Sequence, residues 1–434
     1  MESLTRLVRQ EYDEFIFPCV KPLYRDPIVM VRAAGVEVID SEGRRYLDFF
    51  SGILSTSVGH CHPEVVARVQ EQVATLGHTS TLYVTQNQVE VARRLAELAP
   101  GRLRKSFFVN SGTEAIETAI MAACIYTGRS EIIALRHAYS GRSFLGTSLT
   151  AHAPWRPLAG SIPGVHHALS PYPYRSPFGD QSPEAAAQSF ARDLEEVIRT
   201  TTTGKPAAFI AEPIQGVGGC IVPPPGYFQR AAEIIRRHGG LFIADEVQTG
   251  LGRTGHQWFG ISHWDVEPDI VVMAKGIANG FPVGAVITRD EIAAAWSAKT
   301  ISTFGGNPVC MAAAEATLEL MVAEDTPQRS ARRGDQLREG LEALFQRHPW
   351  IGEVRGMGLM QALEIVEDRR TREPSPQKAG ALLEAAKEEG LLIGVGGLYG
   401  QVIRLGPSML ISEQELDDAL QRLGRACQRT EAAV

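Results

Sequence analysis

The apolar positions in the middle of this chain fall in unbroken runs, without polar alternation. Ala207-Ala208-Phe209-Ile210-Ala211, Leu241-Phe242-Ile243-Ala244 and Ile270-Val271-Val272-Met273-Ala274 each stop at a charge: Glu212, Asp245 and Lys275 in turn. Such runs suit strands of a parallel sheet covered on both faces, and ligands of such sheets bind beyond the carboxyl ends of the strands. The three charges are therefore expected around one crevice. Further strands are predicted at Phe107–Asn110, Ile132–Leu135 and Gly284–Thr288, and a hairpin at Val36–Asp40 and Arg45–Asp48 around Ser41-Glu42-Gly43. Helical spacing marks the N-terminal dozen residues, Ile116 to Ala123, Ser182 to Thr200, and the stretch from Pro308 to about Met321, with Asn307 as its cap. Pro154 to Pro183, with Tyr172-Pro173-Tyr174 in its middle, has no helical period and is expected to be an ordered excursion.

Past about residue 330 the pattern changes. Helices at 331–347, 377–389 and 412–429 alternate with apolar stretches at Val354–Glu364, Leu391–Val395 and Val402–Leu405. An α/β protein is expected, with a mostly parallel central sheet and a smaller C-terminal α/β domain. The expected divisions are an N-terminal segment (1–58) packing with the small domain, a large domain (59–320) and the small domain (321–434).

Composition narrows the picture in three ways. A net charge of −7 with both signs interspersed argues against a general binder of nucleic acid or anionic membrane. Six scattered cysteines without a CxxC pair indicate neither a disulfide framework nor a zinc ribbon. Met1 to Tyr12 lacks an apolar core of the signal-peptide kind and no run reaches spanning length, so a cytoplasmic protein is expected.

Burying an unpaired carboxylate or ammonium costs several kcal/mol, so Asp245 and Lys275 need partners or a ligand that supplies them. Lys275 is the kind of desolvated amine that forms a Schiff base, and Asp245 could face a protonated ring nitrogen. That pairing is the one expected for pyridoxal 5'-phosphate (PLP). A plain salt bridge at a strand end is the other reading. Ser111-Gly112-Thr113-Glu114 opens a helix, where first-turn N–H groups and the helix dipole favour a phosphate; an ordinary serine cap would look the same. Tyr139 could stack on a ring and Arg142 grip a carboxylate. His60-Cys61-His62 invites a metal, but adjacent side chains seldom converge on one ion and no further ligand cluster accompanies them, so no metal is expected. Gly250-Leu251-Gly252-Arg253-Thr254-Gly255 matches GxGxxG, yet Asp245–Thr249 intervene after the strand and no glycine-launched helix follows.

Asp245-Glu246-Val247-Gln248-Thr249-Gly250, thirty residues before Lys275 in Met273-Ala274-Lys275-Gly276, resembles the class III aminotransferases of PLP-dependent fold type I. Gly59-His60-Cys61-His62-Pro63, Asn110-Ser111-Gly112-Thr113-Glu114-Ala115, Glu212-Pro213-Ile214-Gln215-Gly216, Thr303-Phe304-Gly305-Gly306-Asn307-Pro308 and Arg404 follow the family's order across roughly residues 30–420. Leu47–Ile53, His78–Thr81 and Pro407-Ser408-Met409 resemble its alanine–glyoxylate type 2 branch. The resemblance implies the following roles. Lys275 forms the Schiff base and shuttles the α-proton, Asp245 pairs with the pyridinium nitrogen, and Gln248 bonds the ring hydroxyl. Ser111, Gly112 and Thr113 hold the phosphate, joined by Thr303 of a partner subunit in a homodimer that could pair into a tetramer. Tyr139 stacks on the ring, Arg404 takes the substrate α-carboxylate, and Glu212 organises nearby polar groups.

Two positions depart from the family pattern. Members acting on ornithine, acetylornithine or 4-aminobutyrate carry a gating glutamate where this chain has Val217, and Ser140 replaces a usual His or Trp. A missing gate leaves Arg404 free for a carboxylate. It points to alanine or a short β/ω-amino acid as donor and glyoxylate or pyruvate as acceptor, by a ping-pong mechanism. Arg142, matching an arginine used for distal carboxylates, pulls toward 4-aminobutyrate, ornithine or acetylornithine with 2-oxoglutarate. Decarboxylases, lyases and aminomutases share the scaffold.

Overall fold

The computed structural model describes residues 4–157 and 160–433. Its centre is a seven-stranded sheet in the order Lys105–Val109, Gly284–Thr288, Ile270–Met273, Leu241–Asp245, Ala208–Ala211, Ile132–Leu135, Val165–Ala168. Gly284–Thr288 runs antiparallel to both its neighbours; the other pairings are parallel. The apolar runs are continuous because both faces are covered. Phe209, Phe242, Ala244, Val271 and Met273 belong to one buried cluster, while the intervening Ala208, Ile210, Ile243, Ile270 and Val272 belong to another. The helix Gly112–Thr127 packs Ala115, Ile116, Ala119 and Ile120 into the second cluster. Helices Pro183–Thr201 and Tyr227–Arg237 pack Phe190, Leu194, Phe228 and Ile235 into the first. Ala211 pairs with Ala244 and Asp245 with Val272, so Glu212 and Asp245 leave adjacent strands side by side.

Two four-stranded sheets flank this centre. One joins Met30–Ala34, Glu37–Asp40 and Arg45–Asp48 to Leu391–Leu392; the other is Ile351–Met357, Met360–Ile365, Val402–Leu405, Gly394–Gly396. Three expectations change here. The stretch Val354–Glu364 is a hairpin and not one strand: Gly358 takes φ +53 and lets the chain reverse. Leu391–Val395 divides between the two sheets, because Phe50 sits where a Cβ on Gly394 would stand, only 2.2 Å from it. The excursion after Pro154 contains the edge strand Val165–Ala168, hidden in the sequence by two histidines in four residues.

The glycines of Gly250–Gly255 serve packing. A Cβ on Gly252 would lie 2.8 Å from Thr326, one on Gly255 3.0 Å from Ala331, and Gly358 approaches the Thr254–Gly255 backbone as closely. No helix follows them; a short 3-10 turn forms only at Gly260–Trp264. His60, the first residue of the histidine pair, bonds Asp48 Oδ2 at 2.8 Å through Nε2. Asp48 Oδ1 accepts from the N–H groups of Phe50 and Ser51 and so opens a left-handed turn in which Ser51, Gly52, Ile53 and Leu54 all have positive φ. Such residues cost roughly 1–2 kcal/mol each outside glycine, and this single carboxylate secures the turn's start. No helix among the described residues is long and apolar enough to cross a membrane.

Glu364 binds the C-terminal sheet to the central one. It accepts from Tyr172 Oη at 2.7 Å, Arg175 Nε at 2.8 Å, Arg355 Nη2 at 2.7 Å and Gln401 Nε2 at 3.1 Å. Arg355 Nε in turn donates to the Gly219 carbonyl at 2.7 Å. Burial opposes ionisation of Glu364, but the Arg355 and Arg175 guanidiniums outweigh it and hold the carboxyl below its ordinary value. The stabilisation is thus present above the unfolded pKa and lost as pH falls through the folded one. Glu364→Gln should cost about 3 kcal/mol in urea unfolding at neutral pH, since it leaves Arg175 without a carboxylate and the buried Arg355 with Glu353 alone. An unchanged unfolding midpoint would show that the network carries no net stability.

Candidate active site

Glu212, one residue past a strand end, Asp245, at one, and Lys275, two residues past a third, line one cleft of about 310 Å³ with Ser111, Gly112, Thr113, Tyr139 and Gln248. Glu212 Oε2 accepts from Gly216 N at 2.7 Å and Oε1 from Tyr139 N at 3.3 Å, so this carboxyl ties together two loops that edge the cleft. Asp245 accepts only from Val247 N, at 3.1 Å, among the described residues. Lys275 adopts φ +50, a left-handed conformation rarely taken outside glycine, at the start of a 3-10 turn. Strain of this kind persists where surrounding structure imposes it and clusters at functional sites.

Electrostatics sets these groups apart from surface charges. Burial pushes the Glu212 carboxyl up, and the neighbouring Asp245 pushes it further. Burial also raises Asp245, against the opposing Val247 N–H and Lys275. Lys275 is shifted down by burial first and by Arg404 second. Each shift favours the neutral form, and a cation bound beside Asp245 would reverse that balance.

Arg404, in the Val402–Leu405 strand, is 3% exposed. Its Nη2 donates to Gln248 Oε1 at 2.6 Å, its guanidinium lies 5.5 Å from the Phe50 ring centre, and its buried Nε has no hydrogen-bond partner. It forms no carboxylate pair among the described residues. Gly216 is required beside it, because a Cβ there would fall 2.4 Å from Gln248 Oε1. Val217 turns its carbonyl to Gly397 N at 2.9 Å.

At the opposite edge, Ser111 caps the helix Gly112–Thr127, its Oγ accepting from Glu114 N at 3.2 Å. Thr113 Oγ1 accepts from Arg142 N at 3.3 Å, while Gly141, at φ +110, leaves only 2.4 Å between its missing Cβ and that oxygen. The half-buried Tyr139 ring meets Trp155 edge-on, centroids 5.7 Å apart. These features fit PLP: free first-turn N–H groups for a phosphate, an under-bonded buried acid for a ring nitrogen, an unpaired buried lysine for an aldehyde, and an orphaned Arg404 Nε for a carboxylate.

Three sequence candidates do not line this cleft: Arg404 stands behind it and meets it through Gln248, and two others lie farther out. Arg142 is exposed and does not line it, although its charge reaches Tyr139. Thr303 is exposed in the loop before the Asn307-capped helix. The cleft also takes in Val247, Asn110, Ser55 and Gly280–Val283, to which sequence reasoning gave no role. Val247 stood inside a quoted motif and Gly280 and Pro282 close the turn after Lys275, but apolar wall residues carry no signal of their own.

The family model "Aminotransferase class-III" matches residues 21–427. The chain is 42% identical over 405 residues to alanine–glyoxylate aminotransferase 2 homolog 2, mitochondrial, of Arabidopsis thaliana, covering 93% of this chain and 83% of the relative. It is 39% identical over 404 residues to acetylornithine aminotransferase of Methanopyrus kandleri, covering 93% and 95%. Among solved structures, a thermostable (S)-enantioselective omega-transaminase from Thermomicrobium roseum superposes with a TM-score of 0.91 at 34% identity, covering 99% of both chains.

The raised Glu212 carboxyl makes a testable contribution to stability. A carboxyl that is harder to ionise in the native state keeps its proton where the unfolded chain has lost it, so native stability falls as pH rises above the unfolded pKa and levels off above the folded one. In cofactor-free protein, Glu212→Gln should lessen the decline in Tm between about pH 5 and about pH 8. Coincident slopes for the two proteins would mean that Glu212 is ionised in the fold.

Proposed function

The chain belongs to the class III aminotransferases, and from that premise we propose that it moves an amino group from alanine or a short β- or ω-amino acid to glyoxylate or pyruvate by a ping-pong mechanism. It is a PLP-dependent transaminase of fold type I. PLP, when bound, supplies the electron sink that makes a substrate α-proton acidic.

The protein's own groups do the rest. Lys275, whose pKa burial and Arg404 lower against Asp245 and Glu212, would hold the cofactor through its aldehyde and would be the base that moves the substrate α-proton. Asp245 would hold the proton of the ring nitrogen. Gln248, which accepts from Arg404, would bond the ring hydroxyl, and Ser111, Gly112 and Thr113, at the helix start, would take the phosphate. Tyr139 would cover the ring. Glu212 keeps the Tyr139 and Gly216 loops in register. Thr303, exposed and outside the cleft of its own chain, completes the phosphate site of a second subunit, so the working unit is a homodimer. We place the boundaries of the N-terminal segment, large domain and small domain at 58/59 and 320/321, and the enzyme in the cytoplasm.

The observation that carries the substrate assignment is the state of Arg404. It is buried, has an orphaned Nε, and faces no carboxylate, with Val217 where a gating acid would sit. A charge in that state favours a substrate carboxylate. A second reading, acetylornithine or 4-aminobutyrate with 2-oxoglutarate, draws support from the 39% identical acetylornithine aminotransferase; Arg142, exposed beyond the cleft, would then have to swing inward.

Two substitutions test the residue roles, and a spectral titration decides between the two substrate readings. Lys275→Ala should abolish turnover with the fold intact, and sustained multiple turnover would end the assignment of that lysine. Arg404→Gln should weaken carboxylate-bearing donors by about 1.5–3 kcal/mol relative to simple amines. Absorbance of the PLP-loaded enzyme should bleach with L-alanine, β-alanine or 3-aminoisobutyrate and recover with glyoxylate or pyruvate. Bleaching by 4-aminobutyrate or ornithine alone would transfer the assignment to the second reading.

A further inference from the structure

A second cleft, of about 620 Å³, opens beyond the carboxyl ends of the strands Ile132–Leu135 and Val165–Ala168, and it shares no lining residue with the site of Asp245 and Lys275. Arg136, His137, His152, Arg156 and His167 line it, together with Leu398 and small residues. No carboxylate does. The Arg136 and Arg156 guanidiniums enter no hydrogen bond or ion pair among the described residues, unlike Arg175 and Arg355, which share Glu364.

Beneath them the histidines are short of partners. His152 is 2% exposed, and among the described residues neither of its ring nitrogens reaches full hydrogen-bond geometry, the Gly397 carbonyl being its one nearby acceptor; His137 Nδ1 is likewise without a partner. His167 alone is satisfied, with Nε2 bonded to the Leu149 carbonyl at 3.1 Å. Buried polar groups are almost always bonded, and each exception needs a cause. Two unpaired guanidiniums above unbonded imidazoles, with no acid in the wall, are a donor set awaiting acceptors. The geometry points to an accessory binding site for a small oxyanion, a carboxylate or phosphate, held by Arg136 and Arg156 with His152 and His137 donating from the floor.

The site lies against the loop that bears Tyr139. His137 N bonds the Ala151 carbonyl at 3.0 Å and Ser140 N bonds Thr150 Oγ1 at 2.9 Å, so the two sides of this cleft are stitched to the residues flanking Tyr139. Burial pushes His137 down to about 4, with His152, Arg136 and Arg175 acting in the same direction and Glu364 against them. His152 is lowered by burial, opposed by the Gly397 carbonyl; His167 is lowered by burial, opposed by the Leu149 carbonyl, with Arg156, Arg136 and His166 adding to the fall. An anion offsets these penalties.

Calorimetric titration of the PLP-loaded enzyme with inorganic phosphate and, separately, succinate tests this. Saturable binding is expected, weakened at least about tenfold in the Arg136→Gln/Arg156→Gln double variant by loss of charge-assisted bonds. Arg404→Gln should leave it unchanged. Binding of phosphate alone assigns a phosphate ligand, succinate alone a dicarboxylate, and both an oxyanion without further discrimination. Failure of both probes to bind, an affinity equal in the double variant, or loss confined to Arg404→Gln overturns the proposal. Both arginines stand at the protein surface, so transamination by the double variant in the absence of added anion serves as its control for folding.

Discussion

Desolvation of like charges is the constraint on which this structure turns. Glu212 and Asp245 emerge side by side from adjacent parallel strands, both out of water; burial makes each harder to ionise, and Asp245 adds to the effect at Glu212. In a sheet with one face in solvent that repulsion would be screened; here helices cover both faces. The cluster therefore stands biased toward its neutral forms until a ligand bearing positive charge enters. Cofactor affinity in such a site derives from relief of this bias as well as from contacts.

The same logic divides labour between the two arginine environments. Arg355 and Arg175 converge on Glu364, and the result is an ion network whose function is to fix one sheet against another. Arg404 lies on the strand next to that of Glu364, in register with Ala362 and Gly394, but points to Gln248 and leaves a donor unspent. A satisfied buried cation is structure; an unsatisfied one is a site. Gly216 and Gly396 mark the same distinction, since both lack a Cβ where Gln248 or the Arg404 side chain passes.

Much of this was legible in the sequence. Unbroken apolar runs ending in Glu212, Asp245 and Lys275 gave away a doubly covered parallel sheet and its crevice, because burial of both faces removes polar alternation. The resemblance to a family added Gln248 and Arg404, whose partners lie 156 residues apart in sequence and follow from no local pattern. What stayed hidden was of two kinds. Edge strands such as Val165–Ala168 need no apolar run on their open side, so histidines there mask them. Breaks such as Gly358 and Gly394 depend on what presses against the glycine, and for Gly394 that is Phe50, over three hundred residues away.

Phe50 also has a consequence for how the enzyme comes into being. The left-handed turn at Ser51–Leu54 seats its ring against Gly394 and below Arg404. The cofactor-facing half of the cleft, from Ser111 to Lys275, consists of residues the ribosome has delivered before either of those partners exists. The Phe50–Gly394 contact closes a loop of most of the chain's length, and contacts of that separation form late. A nascent chain thus holds every residue of the Asp245–Lys275 cleft before Phe50 can meet its partners.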